Sequence, residues 1–442
     1  MRNLWRRIFV ISGAIVYTVV FNWCYVSFIY PNFDYMGYFY NAPDFSLPFI
    51  VFTWLLAILP SFWLPSSLRR PSQVAYYILY LLVFIPSIFI PGYIYGFYGN
   101  GILQYNFVLF IAFALLGLHY KLPLLRIKRI TGIRSGFWIA CYAISALIYA
   151  YIISKFGFSF DLVALADVYD VRSSYKEAIA SSSPLLAYLI PWQANVLNPL
   201  LIARGFTGKK PVSLLVGIFG QLLIFSITGF KSVLFSSALI LGLFIILTIK
   251  SGKEHFGVII NLGVSALIIG LVKLSEITQI FYFVASIFVR RLIMTNGILT
   301  GYYFQFFSDN PKALLGHSVL KSVVEYPYVL GPPTMIGGIF YGTTAMSANA
   351  NIWADAYANF GFYGMILFSI ILALFFWLYD SIAQKTDLKI TTLLLAVPAM
   401  SLCNAALLTT LLTHGLLLAM LIIYVLPEKE DSLAGGKRWI SQ

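Results

Sequence analysis

The sequence predicts an all-α polytopic membrane protein with about a dozen transmembrane helices. Hydrophobic residues make up 60% of the 442 residues and charged residues only 10%, whereas an ordinary soluble domain is about 25% charged. A chain this apolar could not hide its surface in one soluble core, so lipid is its expected solvent. We therefore expect residues 1–442 to form a single integral membrane domain.

Twelve apolar stretches fit the length of about 20 residues that a membrane-spanning helix needs. They are Ile8–Tyr30, Leu47–Leu64, Val74–Ile90, Ile102–Leu118, Phe137–Ser154, Leu185–Ala203, Val212–Thr228, Val233–Leu247, Phe256–Val272, Phe360–Leu378, Ile390–Cys403 and Leu408–Leu426. The first follows a basic N-terminus but is longer than a signal-peptide core and lacks a small-residue cleavage pattern, so it is interpreted as a retained helix. The last two belong to one long apolar run that is divided near Asn404.

Lys and Arg residues are concentrated in every second segment between the predicted spans. With twelve spans and the N-terminus inside, 20 of the 29 Lys and Arg residues fall in cytoplasmic segments, and the first two outer loops, Pro31–Ser46 and Pro91–Gly101, contain none. Because Lys and Arg favour the cytoplasmic side, both termini are predicted to be cytoplasmic, with residues 427–442 as a cytoplasmic tail. The net charge of +13 follows this topology, so no nucleic-acid partner is expected.

Two outer loops are long. They comprise residues 155–183 and residues 273–359. The second contains the apolar stretch Ile280–Val289, which is too short to span a bilayer. An interfacial or re-entrant helix on the outer face is therefore predicted there, followed by irregular, proline-containing loop.

Several familiar sites are absent from the sequence. It has no phosphate-binding glycine loop, no nucleophile elbow and no paired-histidine zinc motif. The four histidines are far apart, and the three cysteines lie in apolar stretches without metal-ligand spacing. We expect no metal and no cofactor.

Nine basic residues remain on the predicted outer side, and five of them form the candidate anion site. These five are Arg172, Lys176, Lys231, Arg290 and Arg291. Long loops can cross the membrane whatever their charge, but the turn around Lys231 is short. A lysine on the outer side of such a short turn is unfavourable, which suggests a functional role for Lys231. Arginine forks and lysine ammonium groups bind phosphate well, although structural ion pairing is the alternative explanation.

A lipid-linked diphosphate would lie at this depth, with its sugar outside. We predict that Arg172, Lys176 and Lys231 bind such a diphosphate and that Arg290 and Arg291 stabilise charge on it as it leaves. A sugar acceptor would need a general base, and Asp355 or Glu325 is the first choice, with Asp170 and His317 as further candidates.

The stretch from Asn349 to Gly364 combines Asn, Trp, Asp and Tyr in the manner of a sugar-binding surface. Trp353 and Tyr357 are its candidate sugar-binding residues. The alternative is an aromatic belt at the membrane interface, which is common before a spanning helix.

Three short segments carry a resemblance to a known family. They are Tyr169-Asp-Val-Arg-Ser-Ser-Tyr175, Gly229-Phe-Lys-Ser232 and Ala358-Asn-Phe-Gly-Phe-Tyr-Gly364. Together with the dozen spans and two large outer loops, they resemble the bacterial O-antigen polymerases, the Wzy type of oligosaccharide repeat-unit polymerase. Some members carry an Arg, ten residues and then a Gly in these loops. Arg290 and Gly301 match that spacing, but Arg172 meets Ser183 instead.

The resemblance implies a function. A growing glycan would move from undecaprenyl diphosphate to the terminal sugar of a new lipid-linked repeat unit, on the periplasmic face of the bacterial inner membrane. It also implies a fold like that of all-helical (GT-C-like) lipid-sugar glycosyltransferases, sugar contacts at Tyr169 and Tyr175, and as partners undecaprenyl-diphosphate-linked oligosaccharide, membrane lipid and a separate chain-length regulator. Two alternatives stay open: an O-antigen ligase that transfers glycan to lipid A core, and a polysaccharide flippase or transporter.

Overall fold

Helix is the only regular secondary structure in the part of the chain that the structure describes. The computed structural model describes residues 2–41, 47–96, 101–130, 134–158, 171–172, 175, 177, 179, 183–318 and 320–428. The helices are α1 (Asn3–Met36), α2 (Leu47–Phe62), α3 (Ser72–Tyr95), α4 (Ile102–Lys121), α5 (Ser135–Phe156), α6 (Leu186–Gly208), α7 (Pro211–Thr228), α8 (Lys231–Thr248), α9 (Phe256–Ser275), α10 (Gln279–Asp309), α11 (Pro332–Tyr341), α12 (Ile352–Ala383), α13 (Leu388–Ser401) and α14 (Leu407–Val425). The predicted all-α membrane class is confirmed.

Eleven of the described helices are long and apolar enough to cross a membrane. The predicted spans at Leu47–Leu64 and Ile390–Cys403 correspond to α2 and α13, which are shorter apolar helices. The additional long helix is α10, which has 31 residues. It extends well beyond the short helix expected at Ile280–Val289.

The basic segments of the described chain meet at one end of the bundle, which we call the basic end. It is defined by the contacts Arg6–Glu254, Leu68–Lys253, Arg70–Leu122, Gln384–Leu125 and Lys385–Glu428. These contacts join segments that are far apart in sequence, and they bring the first described turns and the last described residues to the same end. The grouping matches the alternation of charge in the sequence.

Helix α10 begins and ends at the opposite end of the bundle. Near its start, the Tyr282 ring lies 6.0 Å from the rings of Phe28 and Phe33, late in α1. Near its finish, the Phe304 ring lies 4.8 Å from the Tyr105 ring, in the first turn of α4. Because α1 and α4 reach the basic end with their other ends, both ends of α10 are at the opposite end of the bundle, although the helix is long enough to cross.

The middle of α10 packs closely against α3. Asn296 Nδ2 donates to the Leu82 carbonyl at 2.6 Å, and Thr300 Oγ1 lies 2.9 Å from Ser87 Oγ. Between them, Gly297 faces the Pro86 carbonyl so closely that no Cβ would fit. Small residues of this kind let helix backbones approach each other inside a membrane.

Helix α12 starts eight residues before the span predicted to begin at Phe360. Asn351 caps it, because its side-chain oxygen accepts from the backbone amides of Trp353 at 3.0 Å and Ala354 at 3.1 Å. The helix then bends at Phe360 and Gly361, where Gly361 has φ 62° and ψ −147°. The bend separates this first segment from the apolar run, and for that reason the sequence predicted a loop there.

We expect Gly297→Ala to destabilise the protein by about 1–3 kcal/mol, because the added methyl group would push α10 away from α3. The measurement is thermal unfolding of the detergent-solubilised protein. Gly270→Ala is the matched control, since Gly270 also lies within a long helix but has open space around it. A melting temperature for Gly297→Ala equal to that of the control would contradict the packing argument.

Candidate functional site

Arg290 lies in a π-helical segment of α10, Ser286–Met294. Its Nε donates to Ser286 Oγ at 3.1 Å, its Nη1 lies 3.4 Å from Met36 Sδ, and its Cζ lies 5.0 Å from the Phe33 ring centre. The side chain is half-buried and forms no ion pair with a described residue. A guanidinium group has five donor hydrogens, so these contacts leave part of its capacity for binding an anion unused.

A cavity of about 730 Å³ opens beside Arg290 at the opposite end of the bundle. Its walls come from the end of α1, the end of α3, α10 and α11. The polar residues that line it are Asp34, Tyr35, Tyr95, Tyr302, Gln305 and Tyr341. Met36 lines the cavity and also contacts Arg290, so it connects the two features.

The cavity wall is largely aromatic, and its polar groups are four tyrosine hydroxyls, one carboxylate and one amide. Tyr302 and Phe340 stack with ring centres 4.2 Å apart and planes 6° apart. Gln305 Oε1 is buried without a hydrogen-bond partner among the described residues. Asp34 is exposed, and its Oδ1 accepts from the neighbouring Tyr35 amide at 2.7 Å. Aromatic faces, one carboxylate and one amide suit a neutral, hydroxyl-rich ligand such as a sugar.

Gly37 makes the turn that forms one edge of this cavity. Its φ of 90° lies in the left-handed region, and a Cβ would overlap the Tyr302 hydroxyl. Next to it, burial raises the pKa of the Tyr38 hydroxyl to about 12, an effect that Thr295 and Arg290 partly offset. The Tyr38 hydroxyl lies 3.2 Å from Thr295 Oγ1, so the turn is fastened to α10 directly after the π-helical segment.

The two predicted catalytic arginines are not equivalent. Arg290 is half-buried against Phe33 and Met36, whereas the side chain of Arg291 is exposed. Neighbouring residues of a helix point in different directions, so the two guanidinium groups do not form one clamp. The cavity is beside Arg290.

Arg172 contacts Phe230, the residue before Lys231, and the assignment of both cations to a diphosphate stays a prediction. Arg172 Cζ lies 5.1 Å from the Phe230 ring centre, and the Tyr175 ring packs edge-on against the same ring at 5.4 Å. Lys231 begins α8 directly after this residue, and its Nζ lies 5.1 Å from the Phe283 ring of α10. Lys176 and Tyr169 lie outside the described residues.

Helix α10 therefore contacts both groups of cations. Phe283, beside Lys231, precedes Arg290 by seven residues, which corresponds to about 10 Å along a helix. A second ring contact, Phe235 to Phe288 at 5.4 Å, holds α8 against the same stretch of α10. Helix α10 therefore connects the Lys231 contact at Phe283 with Arg290.

Trp353 and Tyr357 are buried in the helix bundle instead of forming a sugar-binding surface. Trp353 is 1% exposed, and its Nε1 donates to Ser369 Oγ at 2.9 Å. Tyr357 is 5% exposed, and its hydroxyl lies 3.1 Å from Ser308 Oγ. Both side chains are used for packing within and against α12, so neither presents a ring face to a sugar in this structure.

The two predicted general bases lie in contrasting surroundings. Asp355 is 6% exposed; its Oδ1 accepts from Asn359 Nδ2 at 3.2 Å, and its Oδ2 has no hydrogen-bond partner among the described residues. Glu325 is exposed in the segment between α10 and α11. Neither residue lines the cavity beside Arg290. Both assignments stay predictions.

Asp34, Tyr302 and Tyr341 are cavity residues that were not predicted from the sequence. Asp34 lies in the last turn of α1, within the outer loop Pro31–Ser46 predicted from the sequence. Tyr302 and Tyr341 lie in α10 and α11, within the segment predicted to be largely loop. The one sequence feature that agrees with an aromatic cavity wall is the abundance of tyrosine, with 30 residues in the chain.

Lys312 is fixed beside Tyr357, just after α10. Its Nζ lies 4.1 Å from the Tyr357 ring centre and donates to the Phe307 carbonyl. Partial burial lowers the pKa of its ammonium group to about 8. Lys312 is therefore a packed side chain and not part of the cavity wall.

Among the described residues, no three His, Cys, Asp or Glu side chains are grouped so that they could hold a metal ion. In the comparisons with known proteins, no family model, curated protein or solved structure matches this chain.

The lowered pKa of Lys312 gives a direct chemical prediction. Its rate of acylation by a small amine-reactive reagent should rise with pH and level off between about pH 8 and 9, because the amine is then deprotonated. Peptide mass spectrometry of the folded protein measures the rate at each pH. The same protein unfolded in denaturant is the control, and its Lys312 should keep gaining reactivity up to about pH 10. Equal profiles in the two states would contradict the burial effect.

Proposed function

We propose that this protein is a glycosyltransferase that polymerises a surface polysaccharide of the O-antigen type from lipid-diphosphate-linked repeat units. The observation that carries the proposal is the half-buried Arg290 guanidinium, which pairs with no carboxylate among the described residues and contacts Met36 in the wall of the aromatic cavity that Asp34 also lines. A lipid-linked sugar diphosphate needs a cation for its diphosphate and a neighbouring cavity for its sugar. Arg290 and the aromatic cavity would supply these two parts.

The proposed topology places the basic end in the cytoplasm. Helices α1–α9 and α12–α14 would cross the bacterial inner membrane, and α10 would lie at the periplasmic side as a re-entrant or interfacial helix. The contacts of α10 with the ends of α1 and α4 support this arrangement. It agrees with the positive-inside rule and gives both termini a cytoplasmic location.

In the proposed reaction, a hydroxyl oxygen of the acceptor sugar attacks the anomeric carbon of the donor glycan. A new glycosidic bond forms, the bond from that carbon to the diphosphate oxygen breaks, and the undecaprenyl diphosphate leaves with the electron pair. Arg290 would stabilise the charge on the departing oxygen, and Arg172 and Lys231 would bind the rest of the lipid diphosphate or the acceptor's own diphosphate. Undecaprenyl-linked oligosaccharide and membrane lipid are thus the proposed partners.

The hydroxyl proton needs an acceptor, and we propose Asp34 for this role in place of Asp355 or Glu325. Asp34 is the one carboxylate among the residues that line the cavity. It lies between Phe33 and Met36 in sequence, and both of these contact Arg290. Asp355 is buried away from the cavity, so a hydroxyl could reach it only after a rearrangement.

A gene-deletion experiment separates this function from the ligase and the flippase. Surface lipopolysaccharide is analysed on a gel. Loss of a polymerase leaves lipid A core capped with a single repeat unit. Loss of a ligase leaves no repeat attached while long chains still accumulate on the lipid carrier, and loss of a flippase leaves no O-antigen at all. Either of these last two patterns would refute the polymerase proposal.

Arg290→Ala should reduce polymerisation by about 100-fold or more, because a charge-stabilising donor at the leaving group is lost. Arg290→Lys should keep part of the activity, since a point charge replaces the fork. Lys231→Ala and Arg172→Ala should also shorten chains towards one repeat without lowering the amount of protein. The measurement is the lipopolysaccharide ladder in a deletion strain that carries each variant. Arg291→Ala should have a weaker effect than Arg290→Ala; a stronger one would contradict the assignment.

Asp34→Asn should abolish chain growth and leave the protein folded, because the amide has the same shape but cannot accept a proton. Asp309→Asn is the control; Asp309 is also exposed at the opposite end of the bundle but does not line the cavity. A full ladder for Asp34→Asn together with its loss in Asp355→Asn would show that Asp355 is the base. The ladder and the protein level are measured together for all three variants.

A further inference from the structure

A second polar cluster lies at the basic end, far from the cavity. Asp380 near the end of α12 is 2% exposed, and Ser72 and His119 are both fully buried. Ser72 begins α3, and His119 lies in the last turn of α4. Three helices that are distant in sequence thus meet at one buried polar point.

The hydrogen-bond distances within the cluster form one continuous chain. Asp380 Oδ1 accepts from the Ser72 backbone amide at 3.0 Å, and Asp380 Oδ2 lies 2.5 Å from Ser72 Oγ. The same Ser72 Oγ lies 2.8 Å from His119 Nε2, and His119 Nδ1 lies 2.6 Å from the Leu116 carbonyl. The serine hydroxyl therefore stands between the carboxyl group and the imidazole.

Counting donor hydrogens shows what this chain requires. A carbonyl oxygen can only accept, so His119 Nδ1 must carry a hydrogen for Leu116. The Ser72 hydroxyl has one hydrogen and faces two groups, Asp380 Oδ2 and His119 Nε2. One of those two groups must supply the second hydrogen, which makes either a neutral carboxylic acid beside a neutral imidazole or a carboxylate beside an imidazolium.

Both arrangements contain the same number of protons. If that proton is removed, one of the two short contacts of Ser72 Oγ has no hydrogen between its atoms, and a buried carboxylate remains whose charge Arg70 alone offsets. Neither is tolerated cheaply in a protein interior. We propose that Ser72, His119 and Asp380 form a proton-binding site that holds one shared proton at neutral pH.

The groups that face the cluster do not provide this proton. Arg70 is the nearby cation, and it donates to the carbonyls of His119 at 3.2 Å and Leu122 at 2.9 Å. The tyrosines around the cluster donate their own hydroxyl hydrogens to backbone carbonyls. They are Tyr76 to Phe113, Tyr120 to Trp63 and Tyr379 to Thr391.

The shared proton links the stability of the fold to pH. Above about pH 6.5 an unfolded chain carries an ionised aspartate and a neutral histidine, so it binds no proton at these positions. The folded protein binds one there. The state with more bound protons is favoured at low pH, so stability should fall as the pH rises above about 6.5, until the folded protein also releases the proton.

Amide substitutions test this directly, because an amide supplies the missing hydrogen permanently. In Asp380→Asn, the oxygen accepts from the Ser72 amide and the nitrogen donates to Ser72 Oγ. In His119→Gln, the amide nitrogen can donate to Ser72 Oγ, whose hydrogen then goes to Asp380. Neither variant needs a titrating proton in the cluster.

The experiment is thermal unfolding of the detergent-solubilised full chain between pH 6.5 and 9. We expect wild type to lose roughly 1–4 °C per pH unit and Asp380→Asn to show a much smaller slope, with a melting temperature near that of wild type at pH 6.5. His119→Gln should also flatten the slope, even if it lowers the melting temperature overall.

Asp387→Asn is the matched control. Asp387 lies at the same basic end and caps α13 by accepting from the Lys389 amide at 2.7 Å, so the variant should keep the slope of wild type. A wild-type slope in both Asp380→Asn and His119→Gln would overturn the proposal.

Discussion

No water is available in a bilayer core to satisfy polar groups, so every backbone carbonyl released by a helix irregularity needs a partner from the protein. The π-helical segment Tyr80–Phe84 of α3 shows how this chain meets the constraint. A π-turn disturbs the regular pairing of the carbonyls around it. The Leu81 carbonyl accepts from the Tyr17 hydroxyl at 2.5 Å, and the Leu82 carbonyl accepts from Asn296 Nδ2 at 2.6 Å. One irregular turn thereby fastens both α1 and α10 to α3.

The same solution recurs elsewhere and explains how the candidate site is held. In the π-helical segment Gln193–Leu197 of α6, the Ala194 carbonyl accepts from Gln221 Nε2 of α7 at 2.8 Å. In α10 itself, the carbonyl of Arg290 accepts from Thr295 Oγ1 at 2.9 Å. Buried carbonyls at irregular turns therefore accept hydrogen bonds from polar side chains. Two such bonds hold the part of α10 around Arg290: Asn296 donates to the Leu82 carbonyl, and Thr295 donates to the Arg290 carbonyl. A polar contact made to satisfy the membrane environment thus also holds the helix segment that carries the candidate residue Arg290.

The charge alternation and apolar runs of the sequence predicted the helical class and the grouping of basic segments, because both follow from transfer into lipid. The extent of α10 could not be predicted in this way. Arg290 and Arg291 interrupt its apolar pattern, and continuity through them depends on a π-helical segment and on partners from α1, which only the folded chain provides. Trp353 and Tyr357 were misplaced for a related reason: the cap at Asn351 starts a helix before the bend that ends the apolar run.

The two buried carboxyl groups of α12 show why composition alone could not rank the candidate residues. Asp355 and Asp380 belong to the same helix and are similarly buried, yet their surroundings differ. Both oxygens of Asp380 have partners in Ser72, so its burial is explained by a complete hydrogen-bond chain. One oxygen of Asp355 has none among the described residues, and an unsatisfied buried polar atom costs about 1–3 kcal/mol. That cost is the physical reason to keep Asp355 among the functional candidates, and the open cavity is the reason to place Asp34 before it.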